Sequence, residues 1–152
     1  VNFGPERWLA DVGFGGNGLI APIPFQLDTE QTQYGETFRL KQETDDLYVL
    51  EGLLPDGWID LFAFTLEPLY RIDYEPANYF MSTSTASPFG QARIVALPNP
   101  EGRTILVEHE LKVRRKGETT TSEIESRDAY IQELKSRFGI EVPSYTKFVP
   151  LT

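Results

Sequence analysis

Residues 37–64 read TFRLKQETDDLYVLEGLLPDGWIDLFAF. Three short runs within them favour extended chain, being rich in β-branched and aromatic residues: Thr37-Phe38-Arg39-Leu40, Leu47-Tyr48-Val49-Leu50-Glu51 and Trp58-Ile59-Asp60-Leu61-Phe62-Ala63-Phe64. Asp45-Asp46 and Pro55-Asp56-Gly57 stand between them as turn signals. Strands at this spacing, with no helical period intervening, predict an antiparallel sheet curled into a small barrel or sandwich.

Toward the N-terminus, Phe3 to Val12 reads as a hairpin turning at Gly4-Pro5-Glu6 and continuing through Arg7-Trp8-Leu9-Ala10-Asp11-Val12. Gly13-Phe14-Gly15-Gly16-Asn17-Gly18 can only be a loop, since four glycines in six residues cost a regular element too much backbone entropy. Leu19 to Leu27 contains Pro22 and Pro24, which lack an amide donor, so it predicts an edge strand or an extended arm.

Toward the C-terminus, Asp73 predicts the cap of a short helix from Tyr74 to about Phe80, broken by Ser82-Thr83-Ser84-Thr85-Ala86-Ser87-Pro88. Further strands are predicted at Ala92–Leu97, Thr104–Val107 and Leu111–Arg115, closed by a turn at Lys116-Gly117. Ser126 caps one clear amphipathic helix, in which Tyr130, Ile131, Leu134 and Phe138 share a face, and Gly139 ends it. Ile140-Glu141-Val142-Pro143 resumes extended chain, and the tail to Thr152 carries no pattern.

The 152 residues, 40% hydrophobic and 24% charged, suffice for one core or two small domains sharing one. Fourteen Lys and Arg against 23 Asp and Glu give a formal charge of −9, which repels phosphate backbones and anionic membrane surfaces; neither nucleic acid nor a membrane is expected as a partner. No apolar run approaches the roughly 20 residues of a membrane span, and no secretion signal opens the chain, so a soluble, cytoplasmic protein is the default expectation. Cysteine is missing and histidine occurs once, at His109, which excludes disulfides, a thiol nucleophile, thiolate metal sites and multi-histidine metal sites within this polypeptide. A start at Val1, without Met and close to a strand, points to a piece of something longer.

Four features could carry chemistry. The spacing Gly13-x-Gly15-x-x-Gly18 matches a dinucleotide fingerprint, but Pro22 and Pro24 follow where that motif needs a helix N-terminus, so a turn loop open to close approach is the better reading. Asp11 is a carboxylate in an apolar strand; it either caps loop amides or orients a histidine. His109, between Glu108 and Glu110 on an expected sheet face, reads as solvent-facing, as do the two glutamates. Ser82 to Ser87 packs five hydroxyls into six residues, serving either as a turn segment or as a polar lip for a phosphate or pantetheine chain.

Taken in order, Asp11-Val12-Gly13-Phe14-Gly15-Gly16, Phe64-Thr65-Leu66-Glu67-Pro68, Asp73-Tyr74-Glu75, Asn78-Tyr79-Phe80-x-Ser82-Thr83-Ser84 and Ser87-Pro88-Phe89 resemble the arylamine N-acetyltransferases. The likeness continues through Gly102-Arg103, Gly117-Glu118-Thr119 and Phe138-Gly139-Ile140. The resemblance implies an N-terminal helical bundle, a central antiparallel β-barrel and a C-terminal α/β lid, of which this chain supplies the last two, a mostly β fold ending in an amphipathic helix. The barrel domain is expected over residues 1–80 and the lid over 81–152. It further implies a Cys, His and Asp triad that takes an acetyl group from acetyl-CoA, with no metal, and passes it to an arylamine, hydrazine or arylhydroxylamine by a ping-pong route, as in xenobiotic metabolism. Such chemistry depends on a cysteine made acidic by a neighbouring histidinium, which an aspartate fixes in place.

Carried over position by position, Asp11 matches the triad aspartate. Phe14 matches a residue lining the acceptor-amine pocket, and Gly13, Gly15 and Gly16 match the loop that admits CoA and substrate. Phe80 matches an aromatic near the same pocket. Thr83, Ser84 and Ser87 match the segment passing close to CoA, although Ala86 and Pro88 stand where some relatives carry hydroxyls. The triad cysteine and histidine have no counterpart, since in the family both lie upstream of the position of Val1, and His109 does not align with the catalytic histidine. The chain is therefore expected to be inactive without the N-terminal helical portion as its partner. A non-catalytic binding remnant of the same fold is the alternative.

Overall fold

The computed structural model describes residues 2–3 and 5–148; Gly4 of the first predicted turn and the end of the C-terminal tail lie outside them. The chain divides into two compact units. The first comprises Val1–Glu67 with two hairpin tips, Pro98–Gly102 and Arg114–Glu118; the second comprises Pro68–Leu97, Arg103–Val113 and Thr119–Thr152.

In the first unit, β1 (Asn2–Phe3), β2 (Glu6–Leu9) and β3 (Ile23–Pro24) form a three-stranded sheet in that order. Both partners of β2 run antiparallel to it, and Pro24 sits on the edge strand β3, opposite Trp8, where its missing N–H costs no ladder bond. A second sheet has the order β4-β5-β6-β7, from β4 (Gln31–Gln33), β5 (Glu36–Gln42), β6 (Tyr48–Leu54) and β7 (Gly57–Phe64), all antiparallel. The mostly β class expected from the sequence holds, with the strands paired as open sheets rather than as a closed barrel.

Strand β6 is buried on both faces. Leu50 points into a core with Leu19, Ile23, Phe38 and Leu40, flanked by Phe25, Phe62 and Phe64. Glu51 points the other way, is also buried, and pairs with Arg39 and with Lys41 at 3.0 Å. A bulge opposite Leu50 and Glu51 leaves Leu61 as the extra residue of β7, and its side chain lies over Gly52, where an added Cβ would meet it at 3.1 Å. Tyr34-Gly35 turns the chain between β4 and β5 with φ of 52° and 80°, the double left-handed geometry of a tight hairpin.

The third sheet is ordered β11-β10-β9-β8, from β8 (Ile94–Asn99), β9 (Gly102–Val107), β10 (Glu110–Arg115) and β11 (Glu118–Glu123). Lys116-Gly117, with φ of 51° and 84°, is the predicted turn between β10 and β11. Within the first unit this turn meets the Tyr34-Gly35 turn so tightly that a Cβ on Gly35 would lie 2.8 Å from the Gly117 amide nitrogen.

After α1 (Tyr74–Thr83) and the short α2 (Pro88–Gln91), helix α3 (Arg127–Phe138) starts and ends where the sequence predicts. The Ser126 hydroxyl accepts from the Ala129 amide at 3.2 Å, and Gly139, at φ 68°, ends the helix with its amide on Lys135 O and the next amide on Leu134 O. Tyr130 and Leu134 pack with Leu106, Leu111 and Ile124 to make the second unit's core.

Two local expectations are corrected. Asp73 does not cap α1 (Tyr74–Thr83); its carboxylate accepts from the Tyr70 amide at 2.7 Å and closes a 3-10 turn over Arg71–Asp73. Ser82 does not break that helix either, because Ser82 and Thr83 bond back to the carbonyls of Asn78 and Tyr79, which satisfies the last turn and carries it to Thr83.

Candidate functional site

In the first unit, Asp11 follows β2 and faces the glycine loop. Its Oδ1 accepts two amides, from Gly13 at 2.9 Å and from Phe14 at 3.0 Å. Its Oδ2 lies against Gly18, where a Cβ would come within 2.7 Å of it. The loop is therefore wrapped around one carboxylate, and Gly18, closed by its own amide on Gly15 O at 2.6 Å, has to be glycine for that carboxylate to fit. Gly15 and Gly16 take φ of 63° and 46°, a region that other residues enter only at a cost of about 1–2 kcal/mol each. Gly13 has open space where a Cβ would stand.

Phe14 rides on this loop, half exposed, with its ring centroid 5.1 Å from that of Phe62 in a tilted contact. It offers an aromatic face anchored on the core, which suits contact with another planar ring. The loop's exit is fixed by Gln33, whose Oε1 accepts from Ile20 and Ala21 at 3.0 and 2.6 Å while its Nε2 donates to Ala21 O at 3.0 Å.

In the second unit, α1 carries Phe80, half exposed, and buries none of its residues. Thr83 Oγ1 donates to Tyr79 O, Ser84 Oγ accepts from the Ala86 amide at 3.2 Å, and Ser87, fully buried, donates to Met81 O at 2.9 Å. Each of these three hydroxyls thus has a local backbone partner.

His109 is exposed as expected, its ring centroid 6.0 Å from that of Tyr130 in a T-shaped contact, but it occupies the β9–β10 turn rather than a sheet face. Glu108 corrects the reading of an exposed strand charge. It sits in the same turn at φ 52°, half buried, and accepts from the backbone amide and the guanidinium of Arg93. Burial works to raise its pKa, but the bonds from Arg93 outweigh this and hold it below the ordinary carboxylate range. Sequence reasoning also missed Gln33 and Arg114, which act on the loop from elsewhere in the chain. Among the described residues no cluster of His, Cys, Asp and Glu could hold a metal, and no helix is long and apolar enough to cross a membrane.

The model of a family described as N-acetyltransferase matches residues 1–147. The arylamine N-acetyltransferase of Mycolicibacterium smegmatis is 34% identical over 136 residues, covering 90% of this chain and 49% of that protein. Among solved structures, that of the Mycobacterium abscessus arylamine N-acetyltransferase aligns with a TM-score of 0.81 at 31% identity, over 94% of this chain and 53% of that one. The Mycobacterium marinum arylamine N-acetyltransferase in complex with CoA aligns at 0.80 and 31%, over 88% of this chain and 49% of that one. The match runs through both units and includes the glycine loop, so the chain, spanning about half the length of the relatives it matches, belongs to the arylamine N-acetyltransferase family.

Proposed function

We propose that this chain is the acceptor-binding part of an acetyl-CoA-dependent arylamine N-acetyltransferase whose cysteine and histidine come from an N-terminal helical portion. The observation that carries the reading is Asp11, held by two amides on Oδ1 in the first turn of a glycine loop. A carboxylate fixed this way keeps its orientation without help from a histidine, and Oδ2 is the atom we assign to the imidazole N–H of the missing triad member. Phe14 supplies the aromatic wall for an arylamine or arylhydrazine, and Gly13, Gly15 and Gly16 leave the loop backbone bare for donor and acceptor to approach. On α1, Phe80 is assigned to acceptor binding, and Thr83, Ser84 and Ser87 to the segment bordering CoA. The CoA held by the M. marinum relative supports that choice of donor.

The exposure of Tyr79 and Phe80 on a helix with no buried residue supports an N-terminal portion as a partner for this surface. By itself the chain transfers no acetyl group in this reading, because it has no thiol.

The test uses a form carrying the upstream portion with its cysteine and histidine. That form should acetylate an arylamine from acetyl-CoA, and Asp11→Asn should lower turnover by on the order of 10⁴-fold without unfolding the protein. Undiminished turnover in Asp11→Asn would overturn the assignment.

A further inference from the structure

The glycine loop is the part of the first unit least able to hold its own shape, since glycines lose the most conformational freedom on folding. It is pinned at its start by Asp11 and at its exit by Gln33. Its middle is pinned from much further along the chain: Arg114 Nη1 donates to Asn17 Oδ1 at 2.8 Å. The same nitrogen stands 3.5 Å from Glu36 Oε1, and both charged side chains are largely buried, at 19% and 13% exposure.

Arg114 is itself rigidly placed. A Cβ on Gly102 would come within 2.3 Å of the Arg114 carbonyl oxygen, so strand β9 passes β10 at a distance that only glycine permits. The neighbouring turn is tied by Lys116 N donating to Glu101 O at 2.9 Å. The guanidinium is thus carried on a fixed hairpin tip, oriented by Glu36, and aimed at the one loop residue between Gly16 and Gly18 whose side chain can accept it.

We infer that Arg114 is a positioning residue for acetyl transfer, acting through Asn17 to hold the glycine loop so that the Asp11 carboxylate and the Phe14 ring keep their places. The inference rests on the function proposed above, but its structural half stands apart from it. A charge-assisted hydrogen bond between partly buried groups restrains a loop far more than a surface ion pair does.

Amide hydrogen exchange on the 152-residue chain tests the structural half. Asn17→Ala and Arg114→Ala should each speed exchange at Gly13, Phe14 and Gly18 by about tenfold or more, the scale of losing one such bond. Tyr130 and Leu134 in α3 should be unaffected. The double variant should match Arg114→Ala, since that substitution already removes the bond to Asn17, and Arg114→Lys should recover part of the protection, having the charge without the fork. Should Arg114→Ala fail to fold, Asn17→Ala decides, because it leaves the Arg114–Glu36 pair intact. Unchanged loop exchange, or additive single effects, would overturn the inference.

The functional half is read in the form carrying the upstream portion, where Asn17→Ala should raise KM for the arylamine about tenfold while kcat falls less. An unmoved KM beside a loosened loop refutes the positioning role. Absence of any acetyl transfer in the unsubstituted form refutes the proposed function instead, and the exchange result then judges the clamp by itself.

Discussion

The guanidinium carbon of Arg39 lies 4.0 Å from the ring centroid of Trp58, two strands away, and the strand between them contributes Glu51, which accepts from Arg39 Nε. Arg39 therefore reaches across β6 on the face opposite the Leu50 core, with its guanidinium over an indole and its Nε on a buried carboxylate. Lys41 completes the arrangement by pairing with the other carboxylate oxygen at 3.0 Å. A buried acid held by two cations, one of them over an aromatic ring, is stable only while each member stays in place.

Arg39→Ala should consequently lower the urea midpoint of the chain more than Lys41→Ala, because it removes both the cation over the Trp58 ring and the more buried donor of Glu51. Arg39→Lys should restore only part of the loss, an ammonium being unable to stack and fork at once. Equal midpoints for the alanine variants in equilibrium denaturation would refute this ranking.

The same cluster gives the chain an acid-dependent component of stability. The hydrogen bond from Arg39, followed by that from Lys41, holds the Glu51 carboxyl below its ordinary range against the effect of burial. A carboxylate more acidic when folded stabilises the native state above its unfolded pKa, about 4.3, and the contribution is lost as pH falls through the folded value. The stability advantage over Glu51→Gln should be full at neutral pH and shrink once the pH drops below roughly 4. Denaturation midpoints of both proteins across that range give the answer, and a gap that stays constant with pH contradicts it.

The glycines of the loop should separate into three kinds. Gly13→Ala meets nothing and should leave stability within about 0.5 kcal/mol. Gly15→Ala, at φ 63°, should cost about 1–2 kcal/mol through backbone strain. Gly18→Ala should displace the Asp11 carboxylate, which an NMR spectrum would register as shifts of the Gly13 and Phe14 amides. Should those two signals stay put in Gly18→Ala, the carboxylate does not lie where Gly18 receives it.

The legible parts of the fold were those whose signal is local. The Ser126 cap, the Gly139 terminator, the Lys116-Gly117 turn and the strands about Phe38, Leu50 and Phe62 all announce themselves through backbone requirements or apolar alternation. Strands β4 and β11 were missed because Gln31-Thr32-Gln33 and residues 118–123 place no apolar side chain on either face. The tight turn at Glu108-His109 was hidden for a different reason: Val107 and Leu111 keep the spacing of an uninterrupted strand across it. At the site, Asp11 and the glycines were readable from their neighbours, whereas Arg114 is 97 residues from Asn17 and nothing in either segment announces the other.

The close approach of Gly35 to Gly117 sets an order in time. Strands β4 to β7 are complete by Phe64, yet the unit they belong to also needs Pro98–Gly102 and Arg114–Glu118, which leave the ribosome only after all the intervening chain has been made. Closing so long a loop carries an entropic cost that local hairpins do not. The seam between the two turns is thus the last piece of the first unit to form during synthesis. Until it does, the glycine loop waits for the arginine that settles it.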